Sequence, residues 1–223
     1  MSDPGSLRRR LVNPAAAVGR LARSANIPFL LDACQSLGQL PVDVAEIGCD
    51  MLCGTGRKFL RGPRGTGLLY VRRKWIEQLE PPLLNHHAAT LRSGNSYTIR
   101  SDARRFESWE RDCAGQVALG TAIDYARGWG LENIAERIAG LAAGLRLELA
   151  NTDGIRVMDQ GARNCGIVTF IAEQLHAGAL HKKLAEKRIN ISTVPFSANP
   201  LSFEQRQLPE LARASLHYYC SGD

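Results

Sequence analysis

The chain reads TGRKFLRGPRGTG at residues 55–67, between two short apolar runs at residues 51–53 and 68–71. Runs of this length and composition predict buried β-strands. The glycines and the proline of the connecting segment disfavour a regular helix and allow the backbone to approach a ligand closely. The sequence therefore predicts a strand, an irregular loop that carries Lys58, and a second strand.

The segments that precede this unit extend it into an α/β fold. Apolar residues recur at helical spacing between residues 17 and 25, and a further apolar run at residues 28–31 ends at Asp32. Alternation of helices with buried strands is typical of α/β proteins. We therefore expect an α/β domain over residues 1–112, in which residues 80–105 form a long loop.

Residues 113–223 predict two long helices followed by a smaller α+β domain. Helical patterns at residues 113–128 and 131–150 are interrupted at Gly128-Trp129-Gly130, and we expect these helices to connect the two domains. The predicted small domain, residues 151–223, contains strands at 155–158, 166–171, 189–194 and 214–218 and a helix at about 177–188. The chain shows no internal repeat.

Composition and charge argue against several classes of protein. The 223 residues are 44% hydrophobic and contain no apolar run of about 18 residues, so we predict a cytoplasmic protein without a membrane helix. The six cysteines show neither zinc-site spacing nor a C-x-x-C pair, and we expect reduced thiols and no metal site. The formal charge of +6 comes mostly from dispersed arginines, which favours one local anion site over nucleic-acid binding.

The residues around Lys58 predict imine chemistry. Three arginines in the same segment disfavour the ammonium form of the lysine and attract an anion. A lysine kept partly neutral beside an anion site is what imine formation with a phosphorylated carbonyl cofactor requires. Ligands of open α/β sheets bind at the carboxyl ends of strands, so we expect Asp32 and Lys58 to face one crevice. An aspartate after a strand also commonly caps a turn, and the sequence leaves both roles open for Asp32.

A set of motifs adds to this local chemistry: LDACQS at 31–36, GCD at 48–50, TGRK at 55–58, GPRGTGLLYV at 62–71, RFE at 105–107 and RASLHYY at 213–219. Together they resemble the class V family of pyridoxal-phosphate-dependent enzymes, which includes aminotransferases, cysteine desulfurases, C–S lyases and isopenicillin N epimerase-like proteins. The resemblance is nearest to the epimerase-like branch and extends over nearly the whole chain after residue 11.

The resemblance implies a cofactor and a set of residues that bind it. Lys58 would form a Schiff base with pyridoxal 5′-phosphate, and Asp32 would pair with the pyridinium nitrogen. Gln35 would contact the phenolic oxygen of the cofactor. Thr55 and Arg57 would bind its phosphate, and Arg57 stands where the family commonly has a histidine.

The resemblance also implies a substrate and a class of reaction. Arg213 would bind the α-carboxylate of an amino acid through its planar guanidinium group. Lys58 would then transfer a proton at the α-carbon, a step shared by transamination, epimerisation and C–S elimination, among which the sequence does not choose. We rank a cysteine desulfurase lower, because such an enzyme needs a nucleophilic cysteine near the substrate and the sequence places none there.

Members of this family are much longer than the chain, and little sequence precedes the strand that carries Asp32. We therefore expect an N-terminally truncated relative: part of a type I large domain with a mostly parallel sheet, then a small domain, with a homodimer for the intact family. One alternative is a non-catalytic remnant or dimerisation partner. Another is an anion or nucleic-acid binder, but Lys58 is followed by Phe59 and the segment lacks P-loop spacing.

Overall fold

The computed structural model describes residues 12–161 and 163–222. Its first part is a three-stranded sheet with short helices: α1 (Ala15–Ser24), β1 (Leu30–Asp32), α2 (Val44–Ile47), β2 (Met51–Thr55), β3 (Gly67–Val71) and α3 (Arg73–Ile76). The central strand β2 runs parallel to β1 and antiparallel to β3. The expected α/β character is confirmed, and the sheet predicted to be mostly parallel contains one pair of each kind.

A hydrophobic core lies between this sheet and α1. Its buried members come from the start of α1 and from the strand region: Ala15, Phe29, Leu31, Ala33, Cys49 and Leu52. Apolar residues at helical spacing put one face of α1 against the sheet, as the sequence predicted. Because the side chains of Leu31 and Ala33 are fully buried, the end of β1 that carries Asp32 is held firmly in the fold.

Residues 80–105, predicted as a loop, contain an antiparallel hairpin of β4 (Ala89–Leu91) and β5 (Tyr97–Ile99) and a 3-10 helix at Ala103–Phe106. Gly94 lies in the turn of this hairpin with a φ of 71°. Most side chains of both strands are exposed, so the alternation of apolar and polar residues that marks a half-buried strand is missing. The loop assignment was therefore wrong for these residues.

The two predicted helices are present as α4 (Cys113–Trp129) and α5 (Leu131–Ala150). The chain reverses between them at Gly130, whose φ of 84° favours glycine. Both helices direct apolar side chains into a second core: Ala126, Ile134 and Ile138 pack there with Phe59, Cys165 and Ile167. This core therefore joins the Lys58 segment to the helices and to the sheet that follows them.

The last part of the chain forms a four-stranded antiparallel sheet, in the order β6-β7-β9-β8. Its elements are β6 (Ile155–Val157), β7 (Ile167–Ala172), α6 (Ala177–Glu186), β8 (Ser192–Val194), α7 (Pro200–Arg206) and β9 (Leu211–Ser215). The final strand begins three residues earlier than predicted, and α7 was not predicted. Arg213 consequently lies inside β9, and a turn at residues 218–219 follows the strand.

One buried side chain bridges the two sheets. The amide nitrogen of Gln39 donates to the Gln35 carbonyl at 2.5 Å, and its amide oxygen accepts from the Gly166 N–H at 3.1 Å. Gln39 is 1% exposed, so neither bond competes with water. Among the described residues no helix is long and apolar enough to cross a membrane.

Candidate functional site

The loop that carries Lys58 is closed by its own backbone. The Gly56 N–H donates to the Thr66 carbonyl at 2.9 Å, and the Gly62 N–H donates to the Gly56 carbonyl at 2.8 Å. Inside this closure, the Arg61 N–H donates to the Lys58 carbonyl at 2.9 Å. A Cβ at residue 56 would lie 2.4 Å from the Thr66 hydroxyl oxygen and 2.7 Å from a methyl carbon of Leu119, so a larger residue there would displace both side chains.

Two contacts fix this loop against the rest of the protein. Phe59, the residue after the lysine, is buried in the core shared by α4, α5 and β7. On the other side, Gly38 in the turn after β1 has a φ of 88°, and a Cβ on it would lie 2.5 Å from the Leu60 nitrogen. The position of Lys58 is therefore determined by packing on both sides of the loop.

A cavity of about 390 Å³ lies beside Lys58. It is lined by side chains from both sheets: Gln35, Arg57, Lys58, Phe59, Arg213, Ser215, His217 and Tyr219. Its volume falls within the range of roughly 300–1,000 Å³ that is usual for small-molecule sites. A larger cavity of about 850 Å³ lies along α5, but its lining holds no lysine and one arginine. The smaller cavity is therefore the candidate functional site, and it brings together four of the six residues predicted from sequence.

Arg213 supplies an unmatched positive charge to this cavity. Its Nε donates to the Ser215 hydroxyl at 3.0 Å, and over the described ranges no carboxylate lies within ion-pair distance of its guanidinium. Burial lowers the pKa of the Arg213 guanidinium, which reflects the cost of holding a cation away from water. An anionic ligand would offset that cost.

His217 was not predicted as a site residue, although it lies within the RASLHYY motif. Its ring stacks between Phe59 and Tyr219, with centroid separations of 5.4 and 4.3 Å. Burial lowers the pKa of His217 to about 4, so the ring is neutral at neutral pH. Nδ1 accepts from the Tyr218 N–H at 3.0 Å, which places the proton of the neutral ring on Nε2. The ring is buried, and a hydrogen bond to the Phe59 backbone partly opposes the lowering of its pKa.

Asp32 and Thr55 lie next to the cavity but do not line it. The Asp32 Oδ1 accepts from the Cys34 N–H at 2.9 Å, so this aspartate does cap the turn after β1. The Thr55 hydroxyl contacts the Thr66 carbonyl at 3.4 Å, a long hydrogen bond. Burial and the Asp32 carboxylate together raise the pKa of the nearby Cys34 thiol to about 11, and the charge of Lys58 opposes the shift. Asp32 and Lys58 therefore shift the pKa of the same thiol in opposite directions.

The sequence suggested that all three arginines of the Lys58 segment surround the lysine. In the structure they do not. Of the three, Arg57 lines the cavity. The guanidinium carbon of Arg61 instead lies 5.1–5.7 Å from the ring centroids of Tyr125, Tyr218 and Tyr219, and Arg61 donates to the Tyr218 hydroxyl at 2.9 Å. Arg64 is exposed to solvent. The positive charge of the cavity therefore comes from Arg57, Lys58 and Arg213.

Comparison with known proteins identifies relatives of the whole described chain. The family described as Aminotransferase class-V matches residues 11–223. A probable cysteine desulfurase of Xylella fastidiosa strain 9a5c is 32% identical over 208 residues, which are 93% of this chain and 50% of that protein. The chain thus spans about half the length of the curated relatives it matches.

Solved structures confirm the fold class. The apo cysteine desulfurase of Thermococcus onnurineus NA1 superimposes with a TM-score of 0.87 at 25% identity, over 94% of this chain and 52% of that structure. A mutant of the protein C-DES with glycine covalently linked to its PLP cofactor gives a TM-score of 0.80 at 24% identity, over 94% of this chain and 53% of that structure. The expected partial type I fold is confirmed by these likenesses.

Proposed function

The chain belongs to the Aminotransferase class-V family, which is pyridoxal-phosphate-dependent, and on this premise we propose that its cavity is the lysine-bearing part of a cofactor site acting at the α-carbon of an amino acid. The single observation that supports this most strongly is the convergence of Gln35, Arg57, Lys58 and Arg213 on one cavity. These residues come from widely separated parts of the sequence, and the fold places them together.

The donor set of the cavity fits the proposed cofactor. A primary amine at Lys58 suits an aldehyde carbon, and the Arg57 guanidinium suits a phosphate group. Gln35, 3% exposed, offers an amide to a ring oxygen. Arg213 is a further donor, and within residues 12–161 and 163–222 no carboxylate forms an ion pair with it.

When bound, pyridoxal 5′-phosphate would supply an electron sink at the α-carbon of the substrate. Arg213 would hold the substrate carboxylate and so orient the α-carbon towards Lys58. The Lys58 amine would take the α-proton as a general base and return it as an acid. Asp32 would hold a proton at the ring nitrogen, and Thr55 would join Arg57 at the phosphate.

The proposed role of Lys58 in proton transfer determines the class of reaction. Loss of the α-proton is common to transamination, epimerisation and C–S elimination, and we propose this class of reaction.

We also propose that the chain divides into a large domain at residues 1–112, connecting helices at 113–150 and a small domain at 151–223. A homodimer is proposed for the intact protein, supported by large apolar side chains that are exposed here, among them Leu83, Leu91 and Val117.

A second candidate is a cysteine desulfurase, which the names of the relatives favour. That activity needs a thiolate near the substrate. The charge of Lys58 affects the pKa of the Cys34 thiol. That pKa is nevertheless raised to about 11, which keeps the thiol protonated and poorly nucleophilic. We therefore place desulfuration below the other reactions. Incubation with cysteine separates desulfuration from elimination, because a desulfurase leaves alanine and a protein-bound persulfide, whereas elimination leaves pyruvate, ammonia and hydrogen sulfide.

The decisive experiment maps where the cofactor attaches. The chain is incubated with pyridoxal phosphate and reduced with borohydride, and the adduct is located by peptide mass spectrometry. We expect one adduct at Lys58 that is lost in Lys58→Ala. The matched control is Lys183→Ala, which removes an exposed lysine of α6 and leaves the adduct intact. Adducts spread evenly over Lys58 and the exposed lysines would contradict the proposal and favour a non-catalytic remnant.

A further inference from the structure

We propose that a second cavity, of about 380 Å³, binds a small planar aromatic carboxylate. Its walls come from α4, α5, the Lys58 loop and the turn after β9. The side chains that define it are Arg61, Tyr125, Trp129, Arg137, Tyr218 and Tyr219. Among the described residues that line either cavity, Tyr219 is the one shared with the cavity beside Lys58, and no residue proposed for the cofactor lines this one. The proposal therefore does not depend on the proposed function.

Four aromatic rings form the apolar part of this cavity. Tyr125 and Trp129 lie one turn apart on α4 and meet edge to face, with ring centroids 6.4 Å apart. Tyr218 and Tyr219 follow β9, with ring centroids 6.0 Å apart. Tyr125, Trp129 and Tyr219 are each more than half exposed, whereas tryptophan in particular is highly buried on average. A cluster of exposed rings of this kind commonly marks a binding site.

Two guanidinium groups supply positive charge to the same cavity. Arg61 lies over three tyrosine rings and donates to the Tyr218 hydroxyl at 2.9 Å. Arg137 donates from Nη2 to the Cys220 carbonyl at 3.0 Å. Neither contact neutralises a charge, and across residues 12–161 and 163–222 no carboxylate lines the cavity or forms an ion pair with either arginine. Because a guanidinium has five N–H donors, both arginines retain donors for an anion.

The backbone of Arg61 is a further indication of function. Its φ of 60° lies in the left-handed region, which an L side chain adopts at a cost in stability. Residues held in such conformations cluster at functional sites. A purely structural role, in which Arg61 joins its loop to Tyr218, would require neither the charge of Arg137 nor the exposed ring of Trp129. A ligand that contacts the rings and both arginines accounts for all of these features.

The chemical class of the ligand follows from the combination of rings and charge. A mostly aromatic lining with a few convergent polar groups is typical of small-molecule sites, whose volumes are roughly 300–1,000 Å³. A flat ring can stack on Tyr125 and Trp129, and a carboxylate can accept paired N–H groups from a guanidinium. A cation would be repelled by both arginines, and a neutral aromatic molecule would leave them without a counter-charge. The ligand therefore needs both an aromatic ring and a negative charge.

The test compares three compounds that share one ring system: 2-naphthoate, 2-naphthylmethanol and 2-naphthylmethylammonium. Isothermal titration calorimetry of the full chain, without added cofactor, measures the affinity for each. We expect 2-naphthoate to bind at least about tenfold more tightly than the alcohol, because a hydrogen bond to a charged group typically contributes that factor, and the ammonium to bind most weakly. Arg137→Met should remove at least about tenfold of the 2-naphthoate affinity and leave the alcohol unchanged. Trp129→Leu should weaken both by several-fold.

Arg127→Met is the matched control, since Arg127 is an exposed arginine of α4 outside the cavity, and it should leave all affinities unchanged. Arg213→Met should also retain the 2-naphthoate affinity. Affinity that is lost in Arg213→Met and kept in Arg137→Met would place the anion beside Lys58 and overturn the proposal. Equal affinity for the three compounds, or no binding, would do the same. So would a dimer of the chain that Trp129→Leu converts into a monomer, because the rings would then be an interface between copies.

Should Arg137→Met fail to fold, the parent chain decides the matter. 2,3-Butanedione modifies arginine side chains, and peptide mass spectrometry gives the rate of modification at each position. Bound 2-naphthoate should slow the modification of Arg61 and Arg137 and leave the rates at Arg127 and Arg213 unchanged. Protection of Arg213 alone, or equal rates at Arg61 and Arg137 with and without 2-naphthoate, would contradict the proposal.

Discussion

Replacement of Gln39 by alanine should destabilise the contact between the two sheets. The substitution removes the bond that its amide nitrogen donates to the Gln35 carbonyl and the bond that its amide oxygen accepts from the Gly166 N–H. Both backbone groups are buried, and each would lose its partner without access to water. An unsatisfied buried group costs about 1–3 kcal/mol, so the two together predict roughly 2–6 kcal/mol.

The predicted loss is large enough to be measured simply. For a chain of this length 1 kcal/mol corresponds to about 2–4 °C, so the midpoint of thermal unfolding should fall by roughly 4–24 °C. Circular dichroism at increasing temperature gives the midpoint for the parent chain and for Gln39→Ala. Gln39→Met, which keeps most of the side-chain volume, separates the lost hydrogen bonds from the cavity that alanine creates.

The matched control is Gln116→Ala, since Gln116 is exposed on α4 and alanine is a good helix former. Its midpoint should stay within about 2 °C of the parent value, because surface substitutions usually change stability by less than 0.5 kcal/mol. If Gln39→Ala and Gln116→Ala had the same unfolding midpoint, the bridge between the sheets would not be a source of stability. Gln39 would then not be what holds the two walls of the cavity together.

Two further substitutions probe the loop and the cavity wall. Gly38→Ala should lower the unfolding midpoint by several degrees, because residue 38 has a φ of 88° and the new Cβ would lie 2.5 Å from the Leu60 nitrogen; Gly140→Ala, where nothing lies within 4 Å of the added carbon, should not. Burial lowers the pKa of His217 from its ordinary value of 6.5 to about 4, so the folded state binds fewer protons between these two pH values. Stability should therefore decline as pH falls from about 6.5 to 4, by up to about 3 kcal/mol, and urea unfolding of His217→Phe across this range should show a flatter pH profile.

The sequence predicts the Lys58 loop and its flanking strands well, because the signals there are local. The apolar runs at residues 51–53 and 68–71 are short and bounded by glycine or polar residues, and they form β2 and β3 within two residues of the predicted limits. The resemblance to the family rests on the same stretch. Where a single segment determines both structure and chemistry, a sequence pattern is sufficient.

The last strand shows where local pattern fails. The sequence analysis predicts the last strand over residues 214–218, yet β9 spans Leu211–Ser215. Its position is determined by pairing with β7 and β8, in which Leu211 lies opposite Val194 and Ala212 opposite Phe170. Such register depends on partners distant in sequence. Because β9 ends at Ser215, His217 lies outside the strand and lines the cavity. The position of His217 in the cavity could therefore not be predicted from the sequence.

The proximity of Cys34 to Cys53 could not be predicted for the same reason. It follows from the parallel register that pairs Asp32 with Cys53. The exposed hairpin of β4 and β5 is a different case, because its side chains carry no burial pattern and backbone pairing alone defines it. Burial and long-range register are properties of the fold, and single-sequence periodicity reports neither.

The walls of the candidate cavity come from both sheets, and this has a consequence for any reaction it performs. Gln35 and Lys58 belong to the first part of the chain, whereas Arg213 and His217 belong to the second. The distance between a lysine that moves a proton and an arginine that holds a carboxylate is therefore not set inside either sheet. It is set by the contacts that join them: the Gln39 bridge and the burial of Phe59, the immediate neighbour of Lys58. Because a displacement of about 1 Å can reduce catalysis a hundredfold, these two side chains should control activity without touching a ligand.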